Sequence, residues 1–477
     1  MTLSKKTFPV KIFLLALALR LLVVFAGRSL PIGLDDMFQY DMLARSLAAG
    51  DGYRWYAKED LSLIKRFFPV EFVVEEEDPR GILTSFRAPG YPFFLSLIYR
   101  ISGFEHRVLA ARLAQAFLGA FLVPLTYALA GSLFPRHEKI RNFSAWAVAL
   151  YPFLLILPLG LASENLFIPL LIASAAALLR AGESHRTQDY VLAGALLGMT
   201  SLTRSVVSAF IPFAVLWAWL WAKDKKGAWL IPLCVLLFTA PWSLRNSLLH
   251  GRFVYVESNL GYNLHMGYHP DGTGTFKYGV SLELLPYLDD AVREQIGMEM
   301  ALGFIGDDPG RLPSLVVQKA GHFFSLERRE ITYFYGNDFF GFIPFPWLLV
   351  LFLVFVLPFA VLASLAEVGL AFLEWKPSQV LAGFISAAYL FPHLVIMSAA
   401  RFHLALIPVF AVWAGFAWYS RGEIAAQARS PQARLRVILA LLVLGMLWFN
   451  WGLELSRDAE LLARLFGPYG NHLRISY

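Results

Sequence analysis

The chain has 477 residues, of which 57% are apolar and only 16% are charged. Soluble domains carry about 25% charged residues, so this composition excludes a soluble protein of two or three domains with polar surfaces. The net charge of +6 would suit a nucleic-acid-binding protein, but the basic residues lie in short runs between apolar segments, which indicates a topology signal instead. The single cysteine, Cys234, excludes a disulfide framework and a cysteine-based metal site.

Eleven apolar segments are candidates for membrane-spanning helices, each of which needs about 20 residues. The first covers residues 12–27 and contains Arg20. No small-residue cleavage site follows it, so we interpret it as a retained helix and not as a signal peptide. The other ten segments are residues 113–135, 142–163, 165–179, 190–203, 205–222, 227–244, 339–366, 377–400, 402–420 and 437–453. The predicted fold class is an all-α polytopic membrane protein.

Lysine and arginine residues concentrate in alternate connections between these segments, which predicts the orientation. The basic connections are residues 5–11, 136–141, 180–186, 223–226 and 421–436. The other short connections carry only Glu164, Arg204 or Arg401 as charged residues. By the positive-inside rule the basic connections face the cytoplasm. The sequence therefore predicts a multi-pass plasma (inner) membrane protein with a cytoplasmic N-terminus.

Two long segments fall on the predicted outer side: loop one, residues 28–106, and loop two, residues 246–340. In loop one, residues 92–103 are apolar but too short to span a bilayer, which favours an interfacial helix. We divide the chain into a transmembrane catalytic region, residues 1–420, and a last part, residues 421–477. The last part would hold a cytoplasmic loop, the final helix and an outer tail.

The ionisable residues outside the basic connections gather at the predicted outer ends of helices. Asp35 and Asp36 follow the first helix and begin a helical pattern that ends at Gly50. Aspartate is a good N-cap, so these residues could simply begin an amphipathic helix. Alternatively, one carboxylate is a general base whose pKa is raised at the membrane interface.

Glu164 is the only charged residue between residues 142 and 179. A lone acid there is a candidate functional residue, although it could also be a first-turn charge behind a Ser163 cap. Arg401, Arg204 and Arg87 could bind a phosphate or anchor the chain at the interface.

Several motifs of the chain together resemble those of a known family. The motifs are Asp36-Met-Phe-Gln-Tyr40 with Ala44-Arg45, Arg87-Ala-Pro-Gly-Tyr-Pro92, Ser163-Glu164, Ala240-Pro-Trp-x-x-Arg245-Asn246 with Gly261-Tyr-Asn-Leu264, and Arg401-Phe-His403 with Pro408. Together they resemble the GT-C class of integral membrane glycosyltransferases, near the protein O-mannosyltransferases and the aminoarabinose transferases of lipid A. The resemblance covers about residues 10–420.

The resemblance implies a glycosyltransferase that moves a monosaccharide from a polyprenyl-phosphate donor to a lipid, glycan or protein acceptor, with inversion. Asp36 would be the catalytic base, and a shift of one place would give this role to Asp35. Glu164 would orient the acceptor or hold a divalent metal ion together with Asp36. The resemblance leaves this metal open.

The resemblance also implies substrate contacts. The donor phosphate would be bound by Arg401 and His403, supported by Arg204 and Arg87. Tyr40, Tyr91, Asn263 and His265 lie in or beside the motifs and are candidate substrate contacts. The partners would be the lipid-linked sugar, the acceptor and membrane lipids, with no nucleic acid.

Three alternatives to this interpretation stay open. A transporter or flippase would need charged residues at mid-membrane depth, whereas here only Arg20 is so placed. A polymerase or ligase of lipid-linked glycans is closer in chemistry. A structural membrane protein would use its outer loops only to bind partners.

Overall fold

The computed structural model describes residues 7–33, 35–64, 78–284 and 286–473. The beginning of the predicted region 1–420 and the end of 421–477 lie outside the described residues, as does most of the basic connection 5–11. The described part contains 22 α-helices and a single two-stranded sheet. In the sheet, β1 (Arg54–Trp55) pairs antiparallel with β2 (Ile82–Leu83).

The helices fall into two halves of eleven, and the first five helices of the second half lie within loop two. The first half is α1 (Phe8–Ala26), α2 (Asp36–Ala49), α3 (Lys58–Ile64), α4 (Gly90–Ser102), α5 (Arg107–Leu133), α6 (Glu138–Leu150), α7 (Pro152–Ile156), α8 (Glu164–Ser184), α9 (Thr187–Thr203), α10 (Ile211–Leu220) and α11 (Lys225–His250). The second half is α12 (Leu260–Tyr268), α13 (Tyr278–Leu282), α14 (Asp290–Asp307), α15 (Leu312–Phe323), α16 (Arg329–Gly336), α17 (Phe345–Ala371), α18 (Pro377–Val395), α19 (Ile407–Tyr419), α20 (Arg421–Ala428), α21 (Arg434–Arg457) and α22 (Ala459–Leu465).

All eleven predicted segments contain helix. Among the described residues, eight helices are long and apolar enough to cross a membrane, and the bent pair α6–α7 would make nine. The two remaining segments hold shorter helices, α9 with 17 residues and the stretch Ser205–Leu220. The fold class predicted from the sequence, an all-α polytopic membrane protein, is confirmed.

The bend between α6 and α7 places the beginning of α8. Proline disfavours helical backbone in the residue before it, and Tyr151, which precedes Pro152, is extended. The helix pair is bent by 53° there. The chain then turns through residues 157–163, where Arg112 and Gln115 of α5 donate hydrogen bonds to the carbonyls of Leu159 and Pro158. Glu164 follows directly as the first residue of α8.

Arg20 lies inside α1 and is fully buried. Its guanidinium donates to the carbonyls of Val148 and Ala149 near the C-terminal end of α6, at 3.4 and 3.5 Å. The last carbonyls of a helix lack partners within the helix and accept such bonds. Arg20 therefore joins α1 to α6.

Loop one forms the two helices that its sequence pattern predicts. α2 begins at Asp36 with Asp35 as its N-cap, and it ends at Gly50, whose φ of 90° is one that glycine adopts without strain. α4 buries Leu95 and Tyr99, while Phe93 and Ile101 on its other face are 56% and 89% exposed. An exposed apolar face of this kind suits a helix that lies at a membrane surface.

Loop one and loop two pack on each other through a buried polar contact. Asp290, at the beginning of α14, accepts hydrogen bonds from the Thr84 hydroxyl at 2.5 Å and from the Ser85 amide at 2.8 Å. The Ser258 amide donates to the Ser85 carbonyl at 2.9 Å. These bonds fix the segment after β2, which leads into the turn that carries Arg87.

Candidate functional site

Asp36 stands at the centre of a network of ion pairs. One of its carboxylate oxygens contacts Arg87 closely, and the other accepts a hydrogen bond from Arg401 Nη2 at 2.5 Å. Burial alone would raise the pKa of Asp36, but the charges of Arg87 and Arg401 outweigh burial and hold this pKa well below its usual range. Asp36 is therefore ionised at neutral pH while both arginines contact it.

The structure separates the two neighbouring aspartates. The Asp35 side chain accepts a hydrogen bond from the Met37 amide at 2.9 Å, which is the bond of a helix N-cap. Asp36 is the first helical residue and turns to the arginines instead. Asp35 therefore fits the role of a helix N-cap. Asp36 has the position that is expected of a reactive carboxylate.

Arg87 is held by the turn Arg87-Ala-Pro-Gly90. A Cβ atom at Gly90 would lie 2.8 Å from the Thr203 hydroxyl and 2.9 Å from the Leu202 carbonyl, so glycine is needed for this close approach to α9. Arg87 also donates to the Gln39 side chain at 2.7 and 2.9 Å, one turn along α2 from Asp36. Its guanidinium is therefore fixed on two sides.

Arg401 links Asp36 to the second carboxylate of the network, Glu164. Arg401 Nε lies 3.7 Å from Glu164 Oε1, and Arg204 Nη1 lies 2.6 Å from the same oxygen. The guanidinium of Arg204 also lies 5.2 Å from the centre of the Phe402 ring. Glu164 is 5% exposed, so its charge is compensated by these arginines and not by bulk water.

We call these five residues the Asp36 cluster: Asp36, Arg87, Glu164, Arg204 and Arg401. They come from five separate places in the chain, yet Arg401 alone contacts both carboxylates. Three guanidinium groups face two carboxylates, so these five side chains together carry one net positive charge. The side chain of Arg401 is 45% exposed, against 19% for Arg87 and 17% for Arg204, so Arg401 is the cation most open to an incoming anion.

His403 does not join the Asp36 cluster, which corrects the sequence prediction of its position. It is fully buried, with Nδ1 2.7 Å from the Phe323 carbonyl and Nε2 2.8 Å from Glu327. Residues 400–406 form a 3-10 helix, in which residues two apart point about 120° away from each other. His403 therefore points into the core while Arg401 faces Asp36, and both of its ring nitrogens are already bonded.

Only some of the four candidate substrate contacts lie beside the Asp36 cluster. The Tyr40 ring lies under Arg87, 5.5 Å from its guanidinium carbon, so Tyr40 borders the Asp36 cluster. Tyr91 is fully buried behind Tyr40, and its hydroxyl donates to Gln115. Asn263 donates at 3.3 Å to Asn259, the N-cap residue before α12, and His265 faces Glu283 in loop two. Tyr40 alone is adjacent to the cluster.

Glu257 is a residue of this site that sequence reasoning missed. One carboxylate oxygen accepts hydrogen bonds from the hydroxyl and the amide of Ser205, and the other accepts from the Ala88 amide at 3.1 Å. Ala88 follows Arg87 and Ser205 follows Arg204. Glu257 thus ties together the backbones that carry two of the three arginines, and no motif in the sequence marks it.

We expect Glu257→Ala to lower the stability of the protein by about 1–3 kcal/mol, because several partly buried donors lose a charged acceptor at once. Thermal unfolding of the purified protein measures this as a lower Tm. Ser208→Ala is a matched control, since among the described residues the Ser208 hydroxyl makes a single long contact, of 3.4 Å, with Tyr255 in the same region. Equal Tm values for the two variants would contradict the assigned role of Glu257.

The donor set of the Asp36 cluster does not suit a divalent metal ion. A cation between Asp36 and Glu164 would have to displace Arg401, which contacts both. It would also lie near two further guanidinium groups, whose charge repels it. In the described part of the chain, neither carboxylate belongs to a group of three His, Cys, Asp or Glu side chains close enough to share an ion.

Comparisons with known proteins agree with this architecture. Residues 86–244, about a third of the chain, match the model of the dolichyl-phosphate-mannose-protein mannosyltransferase family. This region includes Arg87, Glu164 and Arg204. A search of curated protein sequences finds no match.

Among solved structures, the chain is similar to an Archaeoglobus fulgidus oligosaccharyltransferase in complex with Zn and sulfate. The TM-score is 0.50 at 17% identity, over 98% of this chain and 57% of that chain. It is also similar to ArnT from Cupriavidus metallidurans bound to undecaprenyl phosphate, with a TM-score of 0.39 at 14% identity, over 88% of this chain and 80% of that chain.

These matches show which features the chain shares with known proteins. The chain spans about 60% of the length of the oligosaccharyltransferase that it matches. The similarity to that enzyme shows a common fold, that of the GT-C class. Together with the mannosyltransferase family match, it confirms the resemblance that the sequence motifs indicate.

Proposed function

We propose that the protein is a glycosyltransferase that moves a monosaccharide from a polyprenyl-phosphate donor to an acceptor on the outer face of the membrane. The single observation that carries the proposal is the Asp36 cluster, in which an ionised carboxylate is held beside a partly exposed arginine. The family match, to mannosyltransferases that use a lipid-phosphate-linked sugar, supports the same donor class.

The charge of the cluster fits this donor. A sugar linked to a polyprenyl chain through one phosphate is a phosphodiester with a single negative charge. The Asp36 cluster has three cations and two anions, so one such group would balance the charge of these five side chains, with Glu257 as a further carboxylate beside Arg87. Arginine suits this contact because its planar guanidinium offers two parallel donors to a phosphate.

The proposed reaction is a displacement at the anomeric carbon. The acceptor hydroxyl or amine forms the new bond to that carbon, while the bond from carbon to phosphate oxygen breaks. Asp36 accepts the proton of the acceptor, and the polyprenyl phosphate leaves with the electron pair. Arg401, Arg204 and Arg87 neutralise the charge that develops on the phosphate. Attack opposite the leaving group inverts the anomeric configuration.

Asp36 would be a weak base while two arginines contact it, because its pKa is held low. In our proposal, binding of the donor raises this low pKa of Asp36. When the phosphate takes the contact of Arg401, Asp36 loses one of its two cations and its pKa rises. The carboxylate is then activated only when the sugar donor is in place, which would limit loss of the activated sugar to water.

This exchange predicts a difference between two pH profiles. In the free protein Asp36 has a pKa below its ordinary value, so kcat/KM should show no acid limb from this group between about pH 5 and 7. With donor bound the pKa is higher, and kcat should fall at a higher pH as the solution is acidified. Initial rates of sugar transfer from pH 4 to 8 measure both profiles. Identical acid limbs in kcat and kcat/KM would contradict the exchange.

Competition between donors tests the proposed substrate class. The protein is reconstituted in liposomes and given a labelled polyprenyl-phosphate sugar, and transfer is measured with unlabelled competitors. We expect polyprenyl phosphate to compete, and nucleotide sugars to have no effect. Transfer only from a polyprenyl-diphosphate-linked glycan would instead support the polymerase or ligase alternative. Movement of the lipid-linked sugar across the bilayer without transfer would support a flippase.

A further inference from the structure

Loop two contains a group of metal-ligand side chains apart from the Asp36 cluster. His265 lies in the last turn of α12, His269 follows the end of that helix, and Glu283 follows α13. His265 Nε2 lies 3.2 Å from one carboxylate oxygen of Glu283, and His269 Nε2 lies 3.2 Å from the other. One ligand atom from each residue lies within 4.8 Å of the other two.

Packing alone does not explain why the polar imidazole of His265 is buried. Its side chain is fully buried, and its polar neighbours are Glu283, 3.2 Å from Nε2, and the backbone of Val280. Buried polar groups in folded proteins almost always have well-aligned partners, and neither His265 nitrogen has a hydrogen bond of good geometry among the described residues. Its Nε2 points at the carboxylate that His269 also faces, which is where a shared ligand would lie.

The surroundings fix the ligands and leave an entrance. Phe304 of α14 packs on both imidazoles, with ring centres 5.7 Å from His265 and 5.3 Å from His269. This contact restricts both rings on an apolar side. The side chain of Glu283 is 41% exposed, so the opposite side is open to solvent. An ion could enter there and keep a water molecule as a further ligand.

The chemistry of the group selects the kind of ion. Imidazole nitrogen with a carboxylate suits zinc and related transition metals, whereas magnesium and calcium prefer oxygen ligands. Zinc bonds of about 2.0–2.1 Å in tetrahedral geometry place neighbouring ligand atoms about 3.3 Å apart. Each imidazole nitrogen lies at a similar separation, 3.2 Å, from a different oxygen of the Glu283 carboxylate.

We propose that His265, His269 and Glu283 bind one zinc ion, which closes the segment 269–283 of loop two onto α12. One existing contact would change. His269 Nδ1 accepts a long hydrogen bond of 3.2 Å from the Asp271 amide, so Nε2 carries the proton of the neutral ring. Zinc binding at Nε2 requires the other neutral tautomer, with the proton on Nδ1, and Nδ1 then no longer accepts from the amide.

Metal binding by the purified full-length protein tests this proposal. The affinity tag is removed, the protein is stripped with a chelator, and zinc is added before dialysis and elemental analysis. We expect about one zinc ion per chain, and no comparable retention of magnesium. His265→Ala and Glu283→Gln should each weaken zinc affinity by at least about 10-fold, because each removes one of three protein ligands. His106→Ala, at an exposed position before α5, should leave it unchanged.

Limited proteolysis gives a second result that does not depend on sugar transfer. Zinc should protect the segment 269–283 in the wild-type protein and in His106→Ala, but not in Glu283→Gln. The proposal is overturned if the wild-type protein retains no zinc, or if His265→Ala and Glu283→Gln bind zinc as tightly as the wild type. If His265→Ala does not fold, Glu283→Gln still tests the proposal, because the side chain of Glu283 is partly exposed.

Discussion

Asp36→Asn should lower kcat for sugar transfer by about 10²- to 10⁴-fold, the usual contribution of a positioned general base. Asparagine keeps the shape of the side chain but cannot take the proton of the acceptor. It also removes the anion that Arg401 contacts at 2.5 Å. Arg401 is then free for the phosphate, so donor binding should be unchanged or tighter in this variant. Transfer rates and equilibrium binding of a labelled donor, measured separately in liposomes, give the two effects.

The matched control for this variant is Asp35→Asn. Asparagine caps a helix about as well as aspartate, so the bond to the Met37 amide is kept while the charge is lost. Activity should stay within a few-fold of wild type. If Asp35→Asn is the inactive variant and Asp36→Asn is active, the base is one residue earlier than proposed. Equal activity of both variants and the wild type would remove the carboxylate from the mechanism.

Arg401→Ala should have the second largest effect, and on a different quantity. We expect donor binding to weaken by about 10- to 100-fold, because a charge-assisted contact with the phosphate contributes about 1.5–3 kcal/mol. The variant also leaves Asp36 paired with Arg87 alone. Its carboxylate therefore loses one stabilising charge, and its pKa should rise. The donor KM should increase while the acid limb of kcat/KM moves to higher pH.

Two further variants serve as controls for the result with Arg401→Ala. Arg401→Lys keeps the charge but has no planar fork, so donor affinity should lie between those of the wild type and the alanine variant. Arg421→Ala removes an exposed arginine that donates only to the Trp418 carbonyl, and it should bind donor normally. Normal donor affinity in Arg401→Ala would show that the phosphate is bound elsewhere.

The sequence predicts the fold class and the meeting of distant charged residues because both follow from membrane physics. Apolar segments must be helical in a bilayer, and the few charges between them must lie at helix ends. Asp36 and Arg401 are 365 residues apart and yet form an ion pair. Alternation of helix direction places such ends on the same side of the membrane, and the packing of the helices then decides which of them touch.

The direction of each side chain could not be predicted in the same way. His403 lies two residues from Arg401, and the local 3-10 geometry turns it to Glu327. Tyr91 follows Gly90 in a motif, but it faces Gln115 in the interior. Glu257 carries no motif, because it acts through backbone amides, which every residue has. Motif spacing indicates which segments meet and does not determine which atoms do.

The anomeric configuration of the product tests the central claim most directly. The purified protein in liposomes receives a polyprenyl-phosphate sugar labelled with ¹³C at the anomeric carbon, and the product is examined by NMR. Transfer at the Asp36 cluster by a single displacement predicts a new glycosidic bond with the configuration opposite to that of the donor. A product that retains the donor configuration, or no transfer from a monophosphate-linked donor, would contradict the proposal.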